Sequence, residues 1–319
     1  MLYNLLKIPA AIGFWMYCRQ LRINNKAHLQ SSGPLLIACN HPNSFLDAIV
    51  LSSVFKRPIY SLARGDVFRY SLVAKLLRSL KMYPVFRNSE GAQNMDQNYS
   101  TFDACKEIFK QNGIVLIFSE GRCINEWHLR PLMKGTARLA LSSWEAGIPL
   151  RVLPTTINYQ SFTRFGKNIH MGFGKILSKE DIDMSNGFGK SVLQFNDILS
   201  KELQPLVYEI EKDDVQKRKS VMEKQIPISV KIMLLIPAIA GWLLHFPLWF
   251  PVRLSAKKFG AKNDHYDSLV VGLFFVLYPI YLLVMGILFT AFFSVGWALM
   301  AIFGAPFLAW SYMYIKQQF

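Results

Sequence analysis

The sequence predicts an α/β domain, a mostly parallel sheet flanked by helices. An N-terminal interfacial helix precedes it and a C-terminal membrane-embedded helical region follows. Three observations point there. Short apolar runs of strand length, such as Pro34-Leu35-Leu36-Ile37-Ala38-Cys39 and Ile114-Val115-Leu116-Ile117-Phe118, alternate with helix-length segments, the pattern of β-α units on a parallel sheet. Residues 268–315 hold no Asp, Glu, Lys, Arg or His, which suits two crossings at roughly 20 apolar residues each. Hydrophobic residues make up 52% of the 319, above what a soluble domain of this size needs.

In chain order, residues 1 to 22 read as a helix. Leu2, Leu5, Leu6, Ile8, Phe14, Trp15 and Tyr17 are apolar, with Lys7, Arg19 and Arg22 alongside. The run is too short and too charged to span, and its aromatics suit the headgroup level, so 1–23 is expected to lie in the interface. Lys7 breaks the apolar run and no small-residue cleavage site precedes Arg19, so a signal peptide is not expected.

Residues 24–226 are the expected central domain. Strands are expected at 34–39, 58–62, 114–118 and 151–158, with a short extended run at 82–86. Helices are expected at 45–55, 67–80, 101–111 and 134–145; Gly113 and Gly147 supply stop signals after the last two. A charged helix over about 192–223 closes the domain, and its end, 211–219, reads as a solvated linker near a membrane surface.

Residues 227–319 are membrane-like. The segment 230–250 is long enough to span but carries Lys231, Pro237, His245 and Pro247. Arg253, Lys257, Lys258 and Lys262 follow it. A full crossing would put these four cations opposite the central domain, against the positive-inside rule. The expectation is therefore an embedded, non-crossing segment broken by its prolines. A two-helix hairpin turning near Ser294-Val295-Gly296 follows, with both termini and the domain on the cytoplasmic face.

The net charge of +15 suits an anionic lipid surface, a phosphorylated substrate or an acidic carrier protein. No nucleic-acid module is present, and the apolar tail calls for lipid, so no nucleic-acid partner is expected. Cys18, Cys39, Cys105 and Cys123 have neither paired nor metal-like spacing, which implies free thiols in a reducing compartment. No metal-ligand cluster stands out.

The candidate chemistry begins in Asn40-His41-Pro42-Asn43-Ser44-Phe45-Leu46-Asp47. A His and an Asp at this spacing are a common coincidence, but their position is not. The pair starts where an apolar strand ends and a helix begins; Pro42 suits a first helical turn, and Asn43 or Ser44 can cap it. A hydroxyl nucleophile needs a base near neutral pH, and His41 at a helix N-terminus is held neutral and ready to accept a proton. Asp47 can bind the other ring nitrogen, fixing the tautomer and stabilising the imidazolium that forms. A substrate that brings its own hydroxyl needs no serine or cysteine from the enzyme. His128, His170, His245 and His265 have no carboxylate at useful spacing and are set aside.

Three further blocks accompany the pair. Tyr83-Pro84-Val85-Phe86-Arg87 comes first, then Phe118-Ser119-Glu120-Gly121-Arg122, followed downstream by Leu129-Arg130-Pro131-Leu132-Met133-Lys134, and finally Val152-Leu153-Pro154-Thr155-Thr156-Ile157-Asn158-Tyr159. Over roughly residues 30–165 the chain thereby resembles the glycerolipid acyltransferase superfamily, which includes glycerol-3-phosphate and 1-acylglycerol-3-phosphate acyltransferases. The resemblance implies that His41 is the general base and Asp47 its partner. It also implies that Arg87 and the Glu120-Gly121 turn hold the glycerophosphate acceptor, and that Pro154 lies on the acyl-side strand. The chain departs from the family pattern twice. Five residues separate His41 from Asp47 where four are usual, as in a subset that resembles fungal glycerol-3-phosphate acyltransferases; the turn at Pro42-Asn43 must absorb a rotation of about 100°. Phe-Ser-Glu-Gly-Arg replaces Phe-Pro-Glu-Gly-Thr-Arg, so Arg122, the phosphate-contact candidate, arrives one residue early. Lys134, at a helix start where a phosphate finds converging donors, is a second cation candidate.

The expected reaction moves an acyl group from a thioester of coenzyme A or acyl carrier protein to the hydroxyl of 1-acylglycerol 3-phosphate in phospholipid biosynthesis. The thioester is a co-substrate, and no cofactor is expected. Two rival readings stay open: another acceptor, glycerol 3-phosphate or a different lysolipid, and a non-catalytic membrane scaffold on the same fold.

Overall fold

Every residue of Leu35–Cys39 is closed to solvent, so this strand needs cover on both faces. The computed structural model describes residues 2–86, 96–223, 225–260 and 263–316. Its seven strands are β1 (Cys18–Ile23), β2 (Leu35–Cys39), β3 (Ile59–Arg64), β4 (Met82–Val85), β5 (Ile114–Phe118), β6 (Arg151–Tyr159) and β7 (Lys167–Phe173). They form one sheet in the order β1-β7-β6-β2-β5-β3-β4, parallel throughout except for the β6–β7 hairpin. This is the expected fold class.

Alternation along β2 sorts the core into two layers. Leu35, Ile37 and Cys39 point to the face covered by α1 (Leu2–Tyr17) and α2 (Phe45–Val54), against Phe14, Tyr17, Leu46 and Val50. Leu36 and Ala38 point to the face packed by α4 (Asp96–Lys110), α5 (Lys134–Glu145) and α6 (Phe188–Leu203), against Phe109, Leu139, Trp144 and Phe195; α3 (Ser71–Ser79) precedes β4. Pro154 lies inside β6, where its carbonyl accepts from Gly174 at 3.0 Å.

Three local expectations are corrected. The N-terminal helix ends at Tyr17, and residues 18–23 are an edge strand beside β7, because an open strand edge there offers backbone partners that a helix would forgo. Leu5, Ile8, Ile12 and Trp15 remain exposed on α1 as one apolar stripe. The charged helix over 192–223 is two helices, α6 and α7 (Val215–Met222), because Pro205 ends the first. The stretch between them, together with α7, straps the domain: Ile210 bridges to Trp127, and the guanidinium of Arg218 on α7 lies 4.5 Å over the Trp127 ring. Finally, α8 (Ile228–Gly260) is one continuous helix through Pro237, Pro247 and Pro251; apolar surroundings and neighbouring helices sustain it where prolines suggested a break.

After α8 come α9 (Tyr266–Phe292) and α10 (Val295–Ile315), which meet at residues 293–294, beside the expected turn. All three are long and apolar enough to cross a membrane, and large apolar side chains such as Ile236, Phe292 and Phe303 face outward.

Candidate active site

Strands β2 and β5 run side by side, with Cys39 opposite Phe118, so the loops that carry His41 and Glu120 leave the sheet together at the carboxyl ends of two parallel strands. Asn40 anchors the first loop: its side chain accepts from the Ile157 N–H at 2.8 Å and donates to the Ile157 carbonyl at 3.2 Å. The His41 ring stacks on Phe118, centroids 3.9 Å apart, and its Nδ1 lies 2.9 Å from Asp47 Oδ2. Asp47 is fully buried. The same oxygen accepts from the Asn43 N–H at 2.9 Å, and Oδ1 accepts from the Tyr159 hydroxyl at 2.8 Å. A carboxylate can only accept here, so the proton of neutral His41 sits on Nδ1 and Nε2 keeps its lone pair, on a ring that lines the cleft.

The extra residue between His41 and Asp47 is absorbed one position later than expected. Ser44 has φ 53° and ψ −135°, the backbone of the first central residue of a type II′ turn, and the Leu46 N–H closes that turn on the Asn43 carbonyl at 3.2 Å. The Ser44 N–H donates to the Cys123 sulfur at 2.9 Å. The pair therefore meets at ordinary hydrogen-bond distance despite the longer spacing.

Glu120 uses both carboxylate oxygens on backbone: Oε2 accepts from the His41 N–H at 2.9 Å and Oε1 from the Arg130 N–H at 3.1 Å. Burial pushes its carboxyl up, and those two N–H groups pull it back. This makes Glu120 a brace between two loops, where the resemblance implies an acceptor-holding turn. Gly121 has φ +70°, and a Cβ there would sit 2.7 Å from Met133 Cγ, so the turn needs glycine. Arg122 is exposed on the cleft wall, and Lys134 starts α5 on the same wall. Arg87 lies outside the described residues.

The cleft has a volume of about 1890 Å³. Arg64, Arg130 and His265 also line it, and none was singled out from the sequence. Arg64 ends strand β3, a placement that could have flagged it. His265 precedes α9 and reaches the cleft only through tertiary packing. Tyr159, the second anchor of Asp47, carried no local signal. Among the described residues no group of His, Cys, Asp and Glu could hold a metal ion.

The membrane region also reaches this loop. Asp267, in the first turn of α9, accepts from the Asn43 side-chain amide at 2.8 Å and pairs with Lys167 of β7; both charges are buried. Burial pushes the Lys167 ammonium down and Asp267 draws it back up. One turn earlier, the Asp264 carbonyl accepts from Asn125, whose amide also donates to the Pro42 carbonyl at 2.9 Å.

Residues 20–158 match the family model described as Acyltransferase. No curated protein matches the chain. Among solved structures it is similar to PlsC, the 1-acyl-sn-glycerophosphate (LPA) acyltransferase of Thermotoga maritima, at 12% identity and a TM-score of 0.48, covering 70% of this chain and 81% of that one.

Proposed function

We propose, for a chain whose residues 20–158 form an acyltransferase domain, that this enzyme acylates the hydroxyl of 1-acylglycerol 3-phosphate from a thioester of coenzyme A or acyl carrier protein. The observation that carries the reading is the His41–Asp47 contact at 2.9 Å with Asp47 fully buried and held by three donors. His41 Nε2 takes the acceptor's hydroxyl proton as its oxygen attacks the thioester carbonyl. Backbone amides or a nearby cation stabilise the oxyanion. The tetrahedral centre collapses, the C–S bond breaks, and the imidazolium returns its proton to the departing thiolate. Asp47 steadies the imidazolium between those steps.

Arg122, Arg130 and Lys134, with the α5 N-terminus, offer the phosphate its donors. Leu77, Val85, Phe102 and Phe188 make an apolar wall in the same cleft. Cations beside an apolar wall favour an acceptor that has both a phosphate and a chain over glycerol 3-phosphate. The longer His–Asp spacing is absorbed at Ser44 without lengthening the His41–Asp47 contact. The domain lies on the cytoplasmic face, α9 and α10 cross as a hairpin, and α8 is embedded without crossing.

The test is thiol release from acyl thioester by the purified full chain with each acceptor in turn. Release is expected to depend on 1-acylglycerol 3-phosphate, and His41→Ala and Asp47→Ala are each expected to lose about 10²- to 10⁴-fold while still inserting and folding. Full activity in His41→Ala sinks the mechanism, and no acceptor-dependent release favours the scaffold reading.

A further inference from the structure

A second cavity, about 1170 Å³, lies between α1, α2 and the C-terminal helices. Its wall is aromatic, with Phe14, Trp242, Trp249, Phe274 and Trp310. Five cations line it as well: Lys7 of α1, which donates to the Phe55 and Lys56 carbonyls, Arg164 from the β6–β7 loop, Arg253 and Lys257 one turn apart on α8, and Lys316 just after α10. These elements converge. The Phe165 ring lies 6.2 Å from Trp249, and a Cβ on Gly166 would sit 3.1 Å from Met313 Cβ. Arg19 joins them from β1, its Nη1 donating to the Lys316 carbonyl at 3.3 Å; its Nη2 is buried with no hydrogen-bond partner among the described residues.

Among the described residues, no carboxylate pairs with the cations that line the cavity, and the nearest acidic influence is Glu223 acting on Arg19. Asp267 is already engaged by Lys167 and Asn43. Burial, with Arg164, Lys167, Arg19 and Arg253 nearby, pushes the Lys316 ammonium down to about 8. Arg164, Arg253 and Lys257 are exposed and open to a ligand, and the part-buried Lys316 among them gains most from an anion that holds its charge. A free phosphate would satisfy the cations but leave the aromatic wall unfilled. A phospholipid satisfies both.

We propose that this cavity is a binding site for an anionic membrane phospholipid, its phosphate held by Arg164, Arg253 and Lys316 and one acyl chain laid along the Trp242, Trp249 and Trp310 wall. The cavity adjoins the cleft, since Phe45 and Ala48 of α2, Ser61 of β3 and Met82 of β4 line both, but its cations are its own: Arg122, Arg130 and Lys134 line only the cleft. The inference does not rest on acyl transfer, so it is tested in a chain without turnover.

The test uses the full His41→Ala chain in neutral detergent, followed by intrinsic tryptophan fluorescence. The probes are dioctanoyl phosphatidic acid, dioctanoyl phosphatidylcholine and inorganic phosphate. Phosphatidic acid is expected to bind saturably and phosphatidylcholine much more weakly, and inorganic phosphate is expected not to displace the lipid. Arg253→Gln should weaken binding about 5-fold and the triple Arg164→Gln, Arg253→Gln, Lys316→Gln variant about 100-fold. Arg122→Ala with Lys134→Ala removes product binding in the cleft and should leave the Arg253-dependent binding unchanged. Equal binding of the two lipids, displacement by inorganic phosphate, loss of binding in the Arg122/Lys134 variant, or no change in Arg253→Gln, an exposed position whose change leaves the fold intact, each overturns the site.

Discussion

The side-chain amide of Asn43 donates to Asp267 at 2.8 Å, tying the loop between His41 and Asp47 to the first turn of α9 across 224 residues of sequence. The backbone N–H of the same Asn43 binds Asp47. A membrane helix thus helps to set the position of the proposed base.

Asn43→Ala should lower kcat about 10-fold and change KM less than about 2-fold, since it loosens the placement of reacting groups without touching the cleft wall. Asp267→Asn should cost more, about 3 kcal/mol of stability or above, because Lys167 is left buried without a counter-charge. Lys167→Met with Asp267→Leu should recover the unfolding midpoint but not kcat. Steady-state kinetics and thermal unfolding in detergent separate the two effects; an unaltered kcat in Asn43→Ala removes the tether from the account.

Ser44→Gly should raise stability by about 0.5–1 kcal/mol, because glycine adopts φ 53° without the strain a side chain suffers. Ser44→Val should cost about 1–3 kcal/mol. The Ser44 N–H to Cys123 is backbone and survives both changes, so the unfolding midpoint reads the strain alone. A midpoint lowered by glycine refutes the strain.

His170 gives a pH dependence. Burial, with Arg22 acting in the same direction, pushes its imidazole down to about 4. In the unfolded chain it titrates near its ordinary value of about 6.5. Between these values the unfolded chain binds a proton that the folded chain refuses, so this contribution to stability is full above pH 6.5 and is lost as pH falls toward 4. Thermal unfolding midpoints should follow that slope. His170→Gln should flatten part of it, and an identical slope in the variant excludes His170 as its source.

Both ends of α8 are tied to the domain. The Met222 carbonyl accepts from Asn168 at 2.7 Å, and the Asp264 carbonyl accepts from Asn125. The six residues from 223 to 228 reach at most about 20 Å, short of a hydrocarbon core of about 30 Å. Single cysteines at Ser229 and Ser255, in a chain whose own four cysteines are replaced by serine or alanine, should react with an impermeant maleimide from the same side as one at Ser185. Labelling of the first two from opposite sides refutes the arrangement.

What the sequence could show follows from the range of each interaction. Strands β2 and β5 are buried on both faces and advertise themselves as unbroken apolar runs. His41 and Asp47 meet within one loop and helix turn, so position along the chain suffices to pair them. Tyr159, Asp267 and the Glu209 that binds His128 at 2.6 Å act from far along the chain, and no local pattern marks them. Strand β7 carries Lys167, Asn168 and His170, polar residues whose partners Asp267, Met222 and Tyr208 come from far along the chain. The prolines of α8 misled because helix-breaking in water is a poor guide to an apolar environment. The longer His–Asp spacing was plain in the sequence, but the turn at Ser44 that accommodates it was not.

The Asp267 anchor also imposes an order on biogenesis. A nascent chain completes residues 1–226 before α9 exists, so the loop around His41 first forms without its distal support. The proposed base reaches its final support only when α9 has been made and seated.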